Sequence, residues 1–121
     1  PGKAYIAPGN KHMRVEYKNA YKIKLNSDPP VRNFRPSVDV LFDSVKDFEP
    51  NKFIAIILTG MCDDGVESIV SLHARGFITI AQNKETSVVF GMNKEAIERG
   101  GITYVFSPHE IIEYLNGLYN D

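Results

Sequence analysis

Apolar and polar positions change their period several times along this chain, and each change marks an element. Residues 12–17 alternate, with Met13, Val15 and Tyr17 on one face, and Tyr21, Ile23 and Leu25 alternate in the same way. Period two is the mark of a half-buried strand. Only Lys18, Asn19 and Ala20 separate the two runs, so together they predict a β-hairpin. Its other face carries Arg14, Glu16, Lys22 and Lys24. A shorter run, Ala4-Tyr5-Ile6-Ala7, predicts a strand stopped by Pro8-Gly9.

After a loop containing Pro29-Pro30, the period lengthens. Val38, Leu41, Phe42, Val45 and Phe48 recur at helical spacing, Pro36 suits the helix start, and Pro50 blocks continuation. Residues 53–58 are continuously apolar, the pattern of a buried parallel strand. Val66, Ile69, Val70 and His73 share the face of the next helix, and Gly76 suits the position just past its end. A strand over 77–81, a polar loop over 82–87, a helix over 94–99 and a strand over 102–106 follow. Ser107-Pro108-His109-Glu110 has the spacing of a capping box, and the last helix is expected to turn Ile111, Ile112, Leu115 and Leu118 inward. Strand and helix alternate through the second half, which implies right-handed crossovers and a parallel sheet. The expected fold class is α/β: a mostly parallel sheet with flanking helices, Rossmann-like and three-layered, plus a β-hairpin near the N-terminus.

Composition narrows the function classes. The 121 residues suit one domain, and a formal net charge of -1 argues against a general binder of nucleic acid. Cys62 is the single cysteine, so no internal disulfide framework exists and a reducing compartment fits. No apolar run is long enough for membrane insertion, and the cytoplasm is the default location.

Candidate chemistry centres on Leu58-Thr59-Gly60-Met61-Cys62-Asp63-Asp64-Gly65. A strand ends in a turn there, and catalytic groups gather at the carboxyl ends of strands in open α/β sheets. Asp63 or Asp64 could be the acid of a catalytic triad, or could cap the helix that follows. Cys62 could be a thiolate nucleophile at a helix start, or a small residue filling a turn. Of the three histidines, His73 lies on an apolar helix face, His109 in a first turn, and His12 in the most loop-like setting. None has metal-pair spacing, so no metal site is expected. No serine lies in a Gly-x-Ser-x-Gly elbow, and no Gly-rich phosphate cradle appears.

The stretch from Leu58 to Gly65 resembles the Leu-Thr-Gly-Met-Gly-x-Asp-Gly signature of CheB-type protein-glutamate methylesterases of chemotaxis. Tyr5-Ile6-Ala7-Pro8-Gly9-Asn10-Lys11-His12-Met13 is similar to that family's Ala-Pro-Gly-x-x-His-Met segment. Arg35-Pro36-Ser37-Val38-Asp39 is similar to its Arg-Pro-Ser-Val-Asp block, and Ala81-Gln82-Asn83 with Val88-Val89-Phe90-Gly91-Met92 to a fourth. These blocks follow family order across nearly the whole chain. The resemblance implies a serine hydrolase that demethylates γ-glutamyl methyl esters on chemoreceptor cytoplasmic helices, with glutamine deamidation in many members and no cofactor. It implies Asp64 as the triad aspartate, Gly60 and Met61 as the oxyanion-side turn, and His12 and Arg35 as residues of the substrate-side loops. The family's serine and histidine lie upstream of the Ala-Pro-Gly segment, as does its usual receiver domain, so the chain is expected to be the C-terminal portion of the catalytic domain and inactive alone. An exposed sheet edge is then expected to favour self-association. The chain departs from the family at Cys62, where glycine is usual, at Asn93, where proline is common, and at Arg32-Asn33-Phe34, which replaces a typical Asn-Gly-His run. A receiver-like phospho-signalling domain and a non-catalytic receptor-binding module are the alternatives.

Overall fold

The computed structural model describes residues 2–120, and the side chains through Leu118. Strands β1 (His12–Tyr17) and β2 (Tyr21–Asn26) form the expected antiparallel hairpin. Met13 pairs with Leu25, Val15 with Ile23 and Tyr17 with Tyr21, so the apolar positions share one face. Asn19 takes a left-handed φ of 66° in the connection, as a short hairpin loop requires. Helix α1 (Val38–Asp43) follows. It is shorter than the spacing predicts, and Pro36 precedes the N-cap Ser37 rather than opening the first turn. The Ser44 hydroxyl explains the early end. It donates to Leu41 O and accepts from Val15 N–H at 2.9 Å, which ties α1 to the hairpin and breaks the helical ladder. The chain continues in tighter turns, with Val45 N–H bonded to Phe42 O and Phe48 N–H to Val45 O, so Val45 and Phe48 still reach the core.

The second half alternates as expected. Strand β3 (Ile54–Ile57), helix α2 (Val66–Ala74), strand β4 (Ile78–Gln82), helix α3 (Met92–Glu98), strand β5 (Tyr104–Phe106) and helix α4 (Pro108–Asn120) form a parallel sheet of order β3-β4-β5 with flanking helices. Ile57, Val66, Ile69, Leu72, Phe77 and Ala96 close the core between sheet and helices. Removing this much apolar surface from water is the main stabilising term.

Three expectations are corrected. Residues 4–7 form no strand, and Ile6 is exposed. The last strand begins at Tyr104: Thr103 N–H still bonds to Thr79 O at 2.9 Å, and the Thr79 and Thr103 amides each donate to the other residue's hydroxyl at 3.0 Å. In α4, Ile111 is buried but Ile112 and Leu118 are about half exposed, and Tyr114 takes the inward place against Tyr104 and Phe106. Neighbouring helical residues point about 100° apart, so Ile111 and Ile112 cannot both face the sheet. His73 is packed as expected, its Nδ1 at 3.3 Å from the Thr79 and Thr103 hydroxyls. His109 is exposed and pairs with Glu113 at 2.9 Å.

The capping box closes as its spacing predicts. Ser107 N–H donates to Glu110 Oε1 at 2.9 Å, and Glu110 N–H donates to Ser107 Oγ at 3.2 Å. The Ser107 amide, then the Ser107 side chain, holds the Glu110 carboxyl below the usual carboxylate range. Its contribution to the first turn of α4 is therefore present above the unfolded glutamate pKa and lost as pH falls through the lower folded value. The Ser107 amide resonance should titrate with a midpoint below that of an ordinary glutamate, and the transition should vanish in Glu110→Gln. A midpoint at or above the ordinary value contradicts the assignment.

Candidate functional site

Beyond Ile57, the loop after β3 runs beside the segment that leads into α3. Gly60 N–H donates to Val89 O, and Gly60 O accepts from the Gly91 and Met92 amides. Thr59 Oγ1 donates to Val89 O and accepts from Val89 N–H. The buried side chain of Gln82, at the end of β4, accepts from Thr59 N–H at 2.8 Å and donates to Thr86 O. Two strand ends are thus locked together beneath an outward-facing Met61, which is 80% exposed. Cys62 rests with its sulfur 4.0 Å from that of Met92, a packing contact rather than a nucleophile–base pair. Asn93 is fully buried and donates from Nδ2 to Gln82 O and Ser87 Oγ, so it ties α3 to the end of β4.

Asp64 lies in the interior at this corner, only 3% exposed. It does not cap the helix that follows it. Its carboxylate instead receives the start of α1. Oδ1 accepts from Ser37 Oγ at 2.7 Å and Asp39 N–H at 3.1 Å, and Oδ2 accepts from Val38 N–H at 2.7 Å. The positive end of a helix and its free amides favour an anion there. A carboxylate offers about four acceptor positions. Three are filled, and one on Oδ2 is left for a further donor.

Helix α2 is capped from the same place in return. Its N-cap, Gly65, has no side chain to offer, and Asp39 of α1 supplies the acceptor. Asp39 Oδ1 takes Gly65 N–H at 3.1 Å, Ser68 N–H at 3.3 Å and Ser68 Oγ at 2.5 Å. Each helix start is therefore capped by an aspartate from the other. Asp63 stays outside, its carboxylate 2.9 Å from Arg32 Nη1. Arg32 also pairs with Glu67 at 2.6 Å and lies 3.7 Å from Asp39. It sits in a two-residue turn closed by mutual Val31 and Phe34 backbone bonds, with Arg32 and Asn33 both left-handed at φ 51° and 70°.

His12 and Arg35, the candidates for the substrate-side loops, each join separate segments of the chain. His12 is the first residue of β1 and 1% exposed, with Nδ1 accepting from Ser37 N–H at 3.2 Å and Nε2 donating to Pro29 O at 3.0 Å. Its loop-like setting was misleading, because both ring nitrogens are needed to join two loops in the interior. Arg35 is a staple as well: Nε and Nη2 bind Asn10 Oδ1, and Nη1 reaches the Ser27 and Asp28 carbonyls. His12, Ser37 and Asp64 form a line of triad residue types, yet the wiring excludes a triad among them. The Ser37 hydroxyl donates to the carboxylate and accepts from Val40 N–H, and the imidazole receives a backbone amide. Ser37, Asp39 and Gln82 were not singled out by sequence. A Pro-Ser-x-Asp run just before helical periodicity was the signal available for the first two. Among the described residues, no cluster of three His, Cys, Asp or Glu side chains could hold a metal.

A parallel sheet with flanking helices defines an α/β domain, and the buried Asp64 carboxylate lies beyond the carboxyl end of β3, where such sheets gather their chemistry. Residues 1–115 match the family model described as CheB methylesterase. A protein-glutamate methylesterase/protein-glutamine glutaminase of Pectobacterium atrosepticum is 46% identical over 112 residues, covering 92% of this chain and 32% of the relative. Its counterpart in Salmonella typhimurium is 45% identical over 116 residues, covering 95% of this chain and 33% of the relative. The crystal structure of the Thermotoga maritima CheB methylesterase catalytic domain superposes with a TM-score of 0.87 at 39% identity, covering 94% of this chain and 61% of that one. The chain belongs to the CheB methylesterase family, and it spans about a third of the length of the curated relatives it matches.

Gly65 packs directly against Val38 at the start of α1. Its φ is 99°, and a Cβ there would lie 2.6 Å from Val38 Cγ1. Gly65→Ala should cost about 1–3 kcal/mol in urea unfolding, and adding Val38→Ala should recover part of the loss. An unchanged midpoint for Gly65→Ala contradicts the packing described.

Proposed function

We propose that this chain is the aspartate-bearing portion of a protein-glutamate methylesterase, with Asp64 as the acid of a Ser-His-Asp triad. The observation that carries this reading is the Asp64 carboxylate: buried at a strand end, held by three donors, with one Oδ2 position still open. A serine and a histidine from sequence preceding Pro1 complete the triad. The serine attacks the γ-glutamyl ester carbonyl while the imidazole takes its proton. Methanol leaves, and water hydrolyses the acyl-enzyme. Asp64 accepts the imidazole N–H, fixes its tautomer and stabilises the imidazolium.

Met61 has a place in the same step. Its amide makes no hydrogen bond among the described residues, while Gly60 beside it is pinned from both sides. A free N–H on a rigid turn suits the developing oxyanion. The substrates are methylated glutamates on chemoreceptor cytoplasmic helices, and deamidation of glutamines proceeds through the same acyl-enzyme with ammonia as leaving group. The enzyme works in the cytoplasm under a receiver domain, and the rest of its catalytic domain covers the outer edge of β3. No helix among the described residues is long and apolar enough to cross a membrane.

The test is methanol release from methylated receptor by the full-length protein that carries this segment. Asp64→Ala should lower kcat by about 10³–10⁴, and the purified 121-residue chain should give no hydrolysis above background. Unimpaired turnover by Asp64→Ala, or turnover by the chain alone that survives this substitution, overturns the proposal.

A further inference from the structure

We infer that Asp39 is a positioning residue for Asp64, an inference that rests on the triad reading above. The amide of Gly65 belongs to the peptide group that follows Asp64, and Asp39 Oδ1 binds it at 3.1 Å. Asp39 returns its own N–H to Asp64 Oδ1 at 3.1 Å. One residue thus holds both the backbone plane that carries the acid and one oxygen of the acid itself.

The other flank is tied to the same residue. Asp63 precedes Asp64 and is held by Arg32, whose Nε lies 3.7 Å from Asp39 Oδ2. The contacts close a ring: Asp39 to Arg32, Arg32 to Asp63, along the chain to Asp64, and back to Asp39. Within it, the Asp64–Gly65 peptide cannot turn without breaking a bond to Asp39. The buried Ser68 hydroxyl fixes Asp39 in its turn. Oδ1 of Asp64 is filled by Ser37 and Asp39, so the open acceptor position is confined to Oδ2. Confinement to one direction is what the imidazole needs, because misplacement of a catalytic group by about 1 Å costs about a hundredfold in rate. The hydrogen bonds of Asp39 go to Asp64, Gly65 and Ser68, so its effect on the reaction passes through Asp64.

The experiment measures kcat and KM for receptor demethylation by the full-length protein, with thermal melts of each variant. Asp39→Ala should lower kcat by about 10- to 100-fold with KM within about twofold. Asp39→Asn retains the Oδ1 acceptor and should restore most of the rate. Asp39→Glu keeps the charge but displaces the carboxylate by one methylene, and it should also lose at least about tenfold in kcat; this variant carries the test should the alanine variant not fold. In an Asp64→Ala background, Asp39→Ala should cause no further loss, because the two act as one unit. A lower melting temperature with unchanged kcat in both Asp39→Ala and Asp39→Glu, or a loss that multiplies on Asp64→Ala, overturns the inference. An active Asp64→Ala enzyme instead removes the triad reading beneath it, so the two failures are distinguishable.

Discussion

Two helices that start side by side exchange their caps, and the remainder of this chain is arranged around that exchange. Asp64 closes the start of α1, and Asp39 closes the start of α2. The N-cap Ser37 of α1 takes only Val40 N–H and leaves the Val38 and Asp39 amides to Asp64, while α2 has no capping side chain of its own. Helix α1 has only six residues, and an isolated helix of that length is not stable in water. Gly65 gives α2 no capping side chain, but its missing Cβ lets Val38 approach closely enough for the carboxylates to cross over. A buried carboxylate is costly to desolvate unless donors replace water. Here the donors are helix amides that would otherwise be orphaned, so each group resolves the other's deficit.

The exchange also links the two halves of the chain. The hairpin reaches α1 through the Ser44 hydroxyl, His12 reaches the α1 cap through Ser37 N–H, and α2 leads into the parallel sheet. An acid built into this junction is rigid because the fold depends on its position. The same bonds that stabilise α1 orient the Asp64 carboxylate, so structure and proposed catalysis draw on one set of contacts. The strand-end turn at Gly60-Met61 is held separately, by Gln82, Thr59 and the segment before α3. Acid and turn therefore sit on distinct supports that meet at the carboxyl end of β3.

Much of the fold was legible in the sequence because it depends on local rules. Alternation fixes the hairpin register, Val15 opposite Ile23, and the Ser107–Glu110 capping box needs only its own four residues. Sequence reasoning weakened where a distant partner intervened: the Ser44 hydroxyl, tied to the hairpin at Val15, ends α1 early. At the candidate site the difficulty is the same. The acid pair was visible, but which helix it caps was not, because the natural expectation is the adjacent helix and the actual partner lies 25 residues or more upstream. The neighbours of His12 suggest a loop, whereas two long-range hydrogen bonds draw it inside at the start of β1. Only the resemblance of whole blocks, not any single residue, separated Asp64 from Asp63.

Native-state hydrogen exchange on Asp64→Ala addresses the mutual dependence of the two helix starts most directly. The amides of Val38 and Asp39 lose their acceptor in this variant, and those of Gly65 and Ser68 do not lose theirs in any direct sense. If the caps are exchanged as one unit, all four amides lose protection together, by a similar factor. Loss confined to Val38 and Asp39, with Gly65 and Ser68 still protected as in the parent chain, would show that the two caps are independent and contradict the central claim.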